Sequence, residues 1–156
     1  MDEPLRQLLA KTLDWQESHA RFDSAIADLA PELRGKRPEG APHSVWELVE
    51  HIRLAQRDIL DFTRDESYQE RRWPDDYWPS SQAPSSSSAW DESVAGYHAD
   101  VDAFKALVMD PDFDLFAKVP WGSGQTNIRE VVLAADHTAY HVGQIVLVRR
   151  LLGAWG

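Results

Sequence analysis

The chain has 156 residues, 43% of them hydrophobic, and a formal charge of −10 at pH 7. This length suits a single domain over residues 1–156, and the acidic charge disfavours nucleic acid, whose backbone is bound by clustered Lys and Arg. Cysteine is absent, so a metal would have to be bound by imidazole or carboxylate rather than by thiolate.

No targeting or membrane segment is evident. No apolar run approaches the roughly 20 residues that span a bilayer. The sequence Met1-Asp2-Glu3-Pro4 also lacks the basic and apolar regions of a signal peptide. We therefore expect a cytoplasmic protein with no membrane partner.

The first predicted element is a long amphipathic helix from Glu3 to Ala30, closed by Pro31. Its apolar face recurs every three to four residues: Leu5, Leu8, Thr12, Trp15, His19, Phe22, Ile26 and Leu29. On this phase His19 faces the interior. A hydrogen-bonded core histidine and a contributor to a site are both open for it.

A second helix is predicted after the loop at residues 35–42, because Ser44-Val45-Trp46-Glu47 reads as a capping box. One histidine lies on its apolar stripe, which is Leu48, His51, Ala55, Ile59 and Phe62. Glu47 precedes His51 by one turn. Its capping role is one interpretation, and a supporting group or general base at a site is the other.

Residues 65–88 lose helical periodicity and predict a long aromatic and Ser-rich connection between the second and third helices. We expect its aromatic half, with Trp73, Tyr77 and Trp78, to pack against the helices, either as a wall of a substrate pocket or as a hydrophobic plug. The serine run at residues 85–88 is expected to be flexible.

Two more amphipathic helices complete the predicted fold. The third opens near Ser88 and ends at Asp110-Pro111, with His98 adjacent to its apolar stripe. The fourth starts at Thr126 or Asn127 and is stopped by Gly153. Four such helices without a strand pattern predict an all-α four-helix bundle, a fold that places metal ligands in its core.

Two histidines of the last helix, His137 and His141, are four residues apart and therefore project from one helix face. Their stripe is otherwise apolar: Val131, Ala134, His137, His141, Ile145, Val148 and Leu152. With His51 they make three inward histidines on two helices. That donor set is typical of a divalent metal site with open positions, and hydrogen-bonded core histidines are the alternative.

Residues 44–51 (SVWELVEH) and 136–145 (DHTAYHVGQI) resemble the two histidine-bearing helices of the DinB/YfiT-like family of bacterial metal-binding bundles. The resemblance covers nearly the whole chain. It implies metal ligation by His51, His137 and His141, an up-down-down-up helix order and a homodimer. The implied ion is zinc or nickel, with iron, manganese or copper as alternatives.

The resemblance also implies a metal-dependent enzyme acting on a small molecule. The ion would activate a low-molecular-weight thiol, giving an S-transferase, or water, giving a hydrolase. Glu47, Tyr140 and Gln144 are the candidate catalytic residues. A non-catalytic metal-binding bundle, acting as a dimeric structural or stress-related protein, is the alternative function.

Overall fold

The structure, a computed structural model, describes residues 2–156. Over these residues the chain forms α-helices and no β-strand, which confirms the predicted all-α class. The five α-helices are α1 (Glu3–Thr12), α2 (Phe22–Ile26), α3 (Val45–Arg64), α4 (Ser87–Met109) and α5 (Asn127–Leu151). Short 3-10 helices lie at Pro31–Leu33 and Asp75–Tyr77.

The predicted single helix from Glu3 to Ala30 is wrong, because a non-helical connection at residues 13–21 separates α1 from α2. Leu13 and Phe22, at the two ends of this connection, are both buried in the core, and their packing outweighs continuation of the helix. His19 falls within the connection. Its side chain is exposed and its Nδ1 lies 2.8 Å from the Ala20 carbonyl oxygen, so His19 does not face the interior.

The buried face of α1 also differs from the prediction. Leu8 is 49% exposed, and Arg6 and Leu9 face inward instead. The guanidinium of Arg6 donates hydrogen bonds of 2.7 to 2.8 Å to three carbonyl oxygens at the end of α4, those of Val108, Asp110 and Phe113. These charge-assisted bonds turn the Arg6 face toward the core, which apolar periodicity alone does not reveal.

The predicted start of α3 and the predicted end of α5 are confirmed. The Glu47 N–H donates to Ser44 Oγ at 3.2 Å, and the Ser44 N–H donates to Glu47 Oε2 at 2.8 Å, which completes the capping box of α3. Gly153, beyond the end of α5, has a φ of 69°, a value that glycine adopts without a Cβ clash.

The serine run before α4 is partly helical rather than flexible. Ser86 Oγ accepts a 3.1 Å hydrogen bond from the Ala89 N–H, so Ser86 caps the helix and the following serines form its first turn. This N-cap role is the usual one for serine, and it explains why the helix starts inside the run.

Contacts between α3 and α4 give their relative direction. Ser93 Oγ donates to Glu50 Oε2 at 2.5 Å, and Arg57 pairs with Asp100 at 2.5 Å. Arg57 follows Glu50 by seven residues in α3, and Asp100 follows Ser93 by seven residues in α4. The contacts therefore follow the same order along both helices. These two helices therefore run parallel.

The last helix, α5, packs against both α2 and α3. His51 near the start of α3 faces His141 late in α5, and the Trp121 indole before α5 donates to the Phe62 carbonyl near the end of α3. These two helices are therefore antiparallel.

By length and composition, α5 is also the one described helix apolar enough to cross a membrane. A helix buried in a protein core can be equally long and apolar. Val131, Ala134 and Ile145 of α5 are at most 1% exposed because they pack into the hydrophobic core.

Candidate metal centre

The structure brings the three inward histidines together. Nε2 of His51 lies 3.1 Å from Nε2 of His141 and 3.1 Å from Nε2 of His137. One ligand atom from each of the three residues falls within 4.8 Å of the others. Two imidazole nitrogens bound to one zinc-like ion at tetrahedral angles would be about 3.3 Å apart, so the cluster has the size that a single ion needs.

Hydrogen bonds on the far side of two rings determine where their protons are. Nδ1 of His51 lies 2.7 Å from the Tyr77 carbonyl oxygen, which can only accept, so this nitrogen carries the proton. Nδ1 of His141 likewise donates to Oε1 of Gln144 at 2.7 Å. In both rings Nε2 is left as a bare lone pair. The 3.1 Å contact between His51 and His141 therefore joins two acceptors with no proton between them.

Burial favours the neutral form of all three imidazoles. Burial, together with the neighbouring imidazoles, lowers the pKa of His51 to about 4 and that of His137 to about 3. Burial also lowers the pKa of His141. At neutral pH the cluster thus offers uncharged nitrogen lone pairs, the form that binds a metal ion.

Aromatic side chains of the connection between α3 and α4 enclose His51. The indole of Trp78 stacks on the His51 ring with centroids 3.9 Å apart and planes 1° apart. His43 stacks on the other face of the same indole at 4.0 Å. Trp73 is 72% exposed, and its ring is tilted by 55° against that of Tyr77, with the centroids 5.4 Å apart. Trp78 therefore acts as a packed cover, as the plug interpretation expects.

A cavity of about 450 Å³ lies between α3, the start of α5 and the connection. Tyr77 lines it, as the pocket interpretation expects, together with Ile59 and Leu133. None of the three histidines lines it, but Leu133 is one helical turn before His137 and the Tyr77 carbonyl contacts His51, so the cavity lies about one turn from the cluster. Its polar lining is supplied by Asp58, Tyr68, Glu70, Gln125, Arg129 and Glu130.

The three candidate catalytic residues have different surroundings. Glu47 accepts from the Ser44 N–H and from Arg37 Nε, each at 2.8 Å, and pairs with Arg37 through its other oxygen as well. Burial would raise the pKa of Glu47, but these hydrogen bonds lower it overall, so Glu47 is an ionised capping residue. Tyr140 is 64% exposed and meets the His141 ring edge-on at 4.9 Å. Gln144 orients His141 through the bond to Nδ1.

His98 Nε2 lies 2.8 Å from Asp23 Oδ1 on α2, away from the cluster, so His98 does not contribute to it. The Tyr77 carbonyl and the stacked His43 were not identified from the sequence. Every residue type has the same backbone carbonyl, so the sequence gives no sign of this contact. His43 precedes α3 and therefore has no place in its helical periodicity.

The fold and the cluster together define an all-α protein with a candidate three-histidine metal centre. Residues 14–145 match the sequence model of the DinB superfamily. Because this match spans most of the chain, the protein belongs to the DinB superfamily, and the resemblance to this family is confirmed. Comparison with curated proteins and with solved structures gave no match.

Metal-free protein should lose stability as the pH falls from 7 to 5. The unfolded chain takes up protons on histidine near a pKa of about 6.5, whereas buried His51 and His137 do not, so protons stabilise the unfolded state. Urea unfolding after chelation measures this slope. His137→Gln should make it shallower, and the exposed control His19→Gln should leave it unchanged. Equal slopes in His137→Gln and wild type would contradict the assignment.

Proposed function

We propose that the protein is a metal-dependent enzyme in which His51, His137 and His141 bind one divalent ion. The observation that supports this most strongly is the 3.1 Å contact between the Nε2 atoms of His51 and His141. Both Nδ1 protons are committed to other acceptors, so two lone pairs face each other inside the protein. A cation between them removes their repulsion and gives both nitrogens a partner.

Zinc or nickel is the proposed ion, because neutral imidazole nitrogens suit both. The same donor set also accepts iron, manganese or copper, and cellular availability contributes to the choice. Three protein ligands leave coordination positions for water or substrate, which is the arrangement of catalytic rather than structural sites.

The proposed reaction is thiol transfer or hydrolysis. When bound, a divalent ion favours the ionised form of a thiol or of water, and so supplies a nucleophile at neutral pH. The protein's own contribution is to hold the three imidazoles in fixed orientations. His51 is fixed by Tyr77 and covered by Trp78, and His141 is fixed by Gln144.

The 450 Å³ cavity about one turn from His137 supports a small-molecule substrate. It combines apolar walls at Ile59 and Leu133 with polar groups at Glu70, Gln125 and Arg129, so it offers both shape and hydrogen bonds. A non-catalytic bundle would need a metal but no such cavity. That difference favours the enzyme over the structural alternative.

The helix order we propose is up-down-down-up. The parallel pair α3 and α4 supports it, as does the antiparallel pair α3 and α5. This order places the two histidine-bearing helices side by side with opposite directions.

Metal affinity should depend on the cluster and not on other histidines. His141→Ala should weaken nickel and zinc binding by more than about 100-fold, because it removes a ligand as well as the Gln144 contact that orients it. It should also remove the rise in thermal midpoint that the metal gives. His98→Ala is the matched control and should change neither quantity. Equal metal content in His141→Ala and wild type, by mass spectrometry after dialysis, would contradict the proposal.

Turnover should require both the metal and a thiol if the protein is a transferase. Holo and metal-free protein are incubated with a haloarene or epoxide and with bacillithiol, mycothiol, glutathione or no thiol, and conjugate formation is followed. Loss of the rate in His51→Ala and retention in His98→Ala are expected.

Metal-dependent turnover that needs no thiol would assign hydrolysis instead. Absence of metal-dependent turnover across the electrophiles and across ester and amide substrates would favour the non-catalytic alternative.

We also propose a homodimer formed through the outer face of α5. Four apolar side chains on this face are at least 53% exposed: Val132, Tyr140, Leu147 and Leu151. Leu147→Glu should shift the protein toward monomer in light scattering over a concentration series, because it puts a charge in an apolar interface. Leu8→Glu, at another exposed leucine, is the control. Wild-type protein that stays monomeric throughout the series would contradict the dimer.

A further inference from the structure

Tyr77 contacts α3 at two points on one face of the helix. Its backbone carbonyl oxygen accepts from Nδ1 of His51 at 2.7 Å, and its hydroxyl donates to Oδ2 of Asp58 at 2.6 Å. His51 and Asp58 are seven residues apart, which is about two helical turns, so both side chains project from the same face. The hydroxyl contact with Asp58 therefore helps to fix the Tyr77 carbonyl in its position beside His51.

Asp58 is a buried acceptor with several donors. It is 8% exposed, its Oδ1 accepts from the Tyr68 hydroxyl at 3.0 Å, and Arg71 Nε lies 3.5 Å away. Burial and the Asp58 charge raise the pKa of Tyr77, and they raise the pKa of Tyr68 to about 12. Both phenols therefore keep their protons and donate to the carboxylate. A buried carboxylate with these partners provides a firm anchor for the connection.

The residue after Tyr77 restrains the same imidazole from a second direction. Trp78 stacks on the His51 ring with the planes 1° apart, so the ring is held across its face by the indole and in its plane by the carbonyl. A histidine restrained in this way has one orientation and one tautomer. Only the tautomer with its proton on Nδ1 directs the Nε2 lone pair toward His137 and His141.

We propose that Tyr77 and Asp58 are positioning residues of the metal centre. Asp58 holds the Tyr77 hydroxyl, this fixes the Tyr77 carbonyl, and the carbonyl selects the Nδ1–H tautomer of His51. This inference rests on the proposed function, because the selected tautomer has a use only if Nε2 binds an ion. Neither residue is required to contact the metal or a substrate.

The test compares Tyr77→Phe with Tyr68→Phe. Both substitutions remove one phenol that donates to the same carboxylate, and both side chains line the same cavity, but only Tyr77 also supplies the carbonyl at His51. Nickel affinity, measured by chelator competition, should fall roughly 10- to 100-fold in Tyr77→Phe and less than about 3-fold in Tyr68→Phe. Thermal midpoints of the metal-free variants serve as the folding check.

A second readout does not depend on the metal. Nitrogen NMR of the imidazole rings in metal-free protein should show His51 with its proton on Nδ1 in wild type and in Tyr68→Phe. In Tyr77→Phe it should show a mixture of the two tautomers. If Tyr77→Phe does not fold, Asp58→Asn replaces it, because the amide weakens the anchor while keeping the side-chain shape.

Wild-type nickel affinity in Tyr77→Phe with an unchanged His51 tautomer would overturn the inference, as would equal losses in the two tyrosine variants. A wild-type protein that binds none of nickel, zinc, iron, manganese or copper would instead overturn the proposed function. In that case the tautomer measurement still decides whether Tyr77 positions His51.

Discussion

Two imidazole nitrogens in the interior, both without a proton, face each other at 3.1 Å, and the organisation of the site follows from that constraint. Burial lowers the pKa of both His51 and His141, so a shared proton does not relieve the contact at neutral pH. Buried polar groups without partners cost free energy that a protein of marginal stability has little reserve to offset. A cation between the two nitrogens would relieve their repulsion, which is the physical basis of the proposed metal centre.

The long connection between α3 and α4 has a physical reason to exist beside this site. Carbonyl groups inside a helix already accept the N–H four residues later and point along the helix axis, so they are poorly placed to accept the Nδ1 proton of a histidine on a neighbouring helix. His141 finds its acceptor in a side chain of its own helix, Gln144. For His51 the acceptor comes from a non-helical segment, the carbonyl of Tyr77, and the same segment brings Trp78 over the ring.

The parts of the structure that the sequence predicts depend on local interactions, and the parts that it does not predict depend on contacts between distant segments. The capping box at Ser44 and Glu47 and the histidine stripes follow from local hydrogen bonding and helical periodicity, and the structure has them. The buried face of α1 does not follow, because Arg6 is turned inward by carbonyls more than 100 residues away in sequence. The Tyr77 contact is equally hidden, since any residue type presents the same carbonyl. Long-range backbone acceptors thus limit what periodicity alone reveals.

A crystal structure of the protein loaded with nickel or zinc, with anomalous scattering measured at the metal edge, tests the central claim most directly. The account predicts one anomalous peak bonded to Nε2 of His51, His137 and His141 at about 2.0 to 2.3 Å, with Nδ1 of His51 still donating to Tyr77. An anomalous peak bound elsewhere would contradict it, as would three histidines that bind no ion at saturating metal.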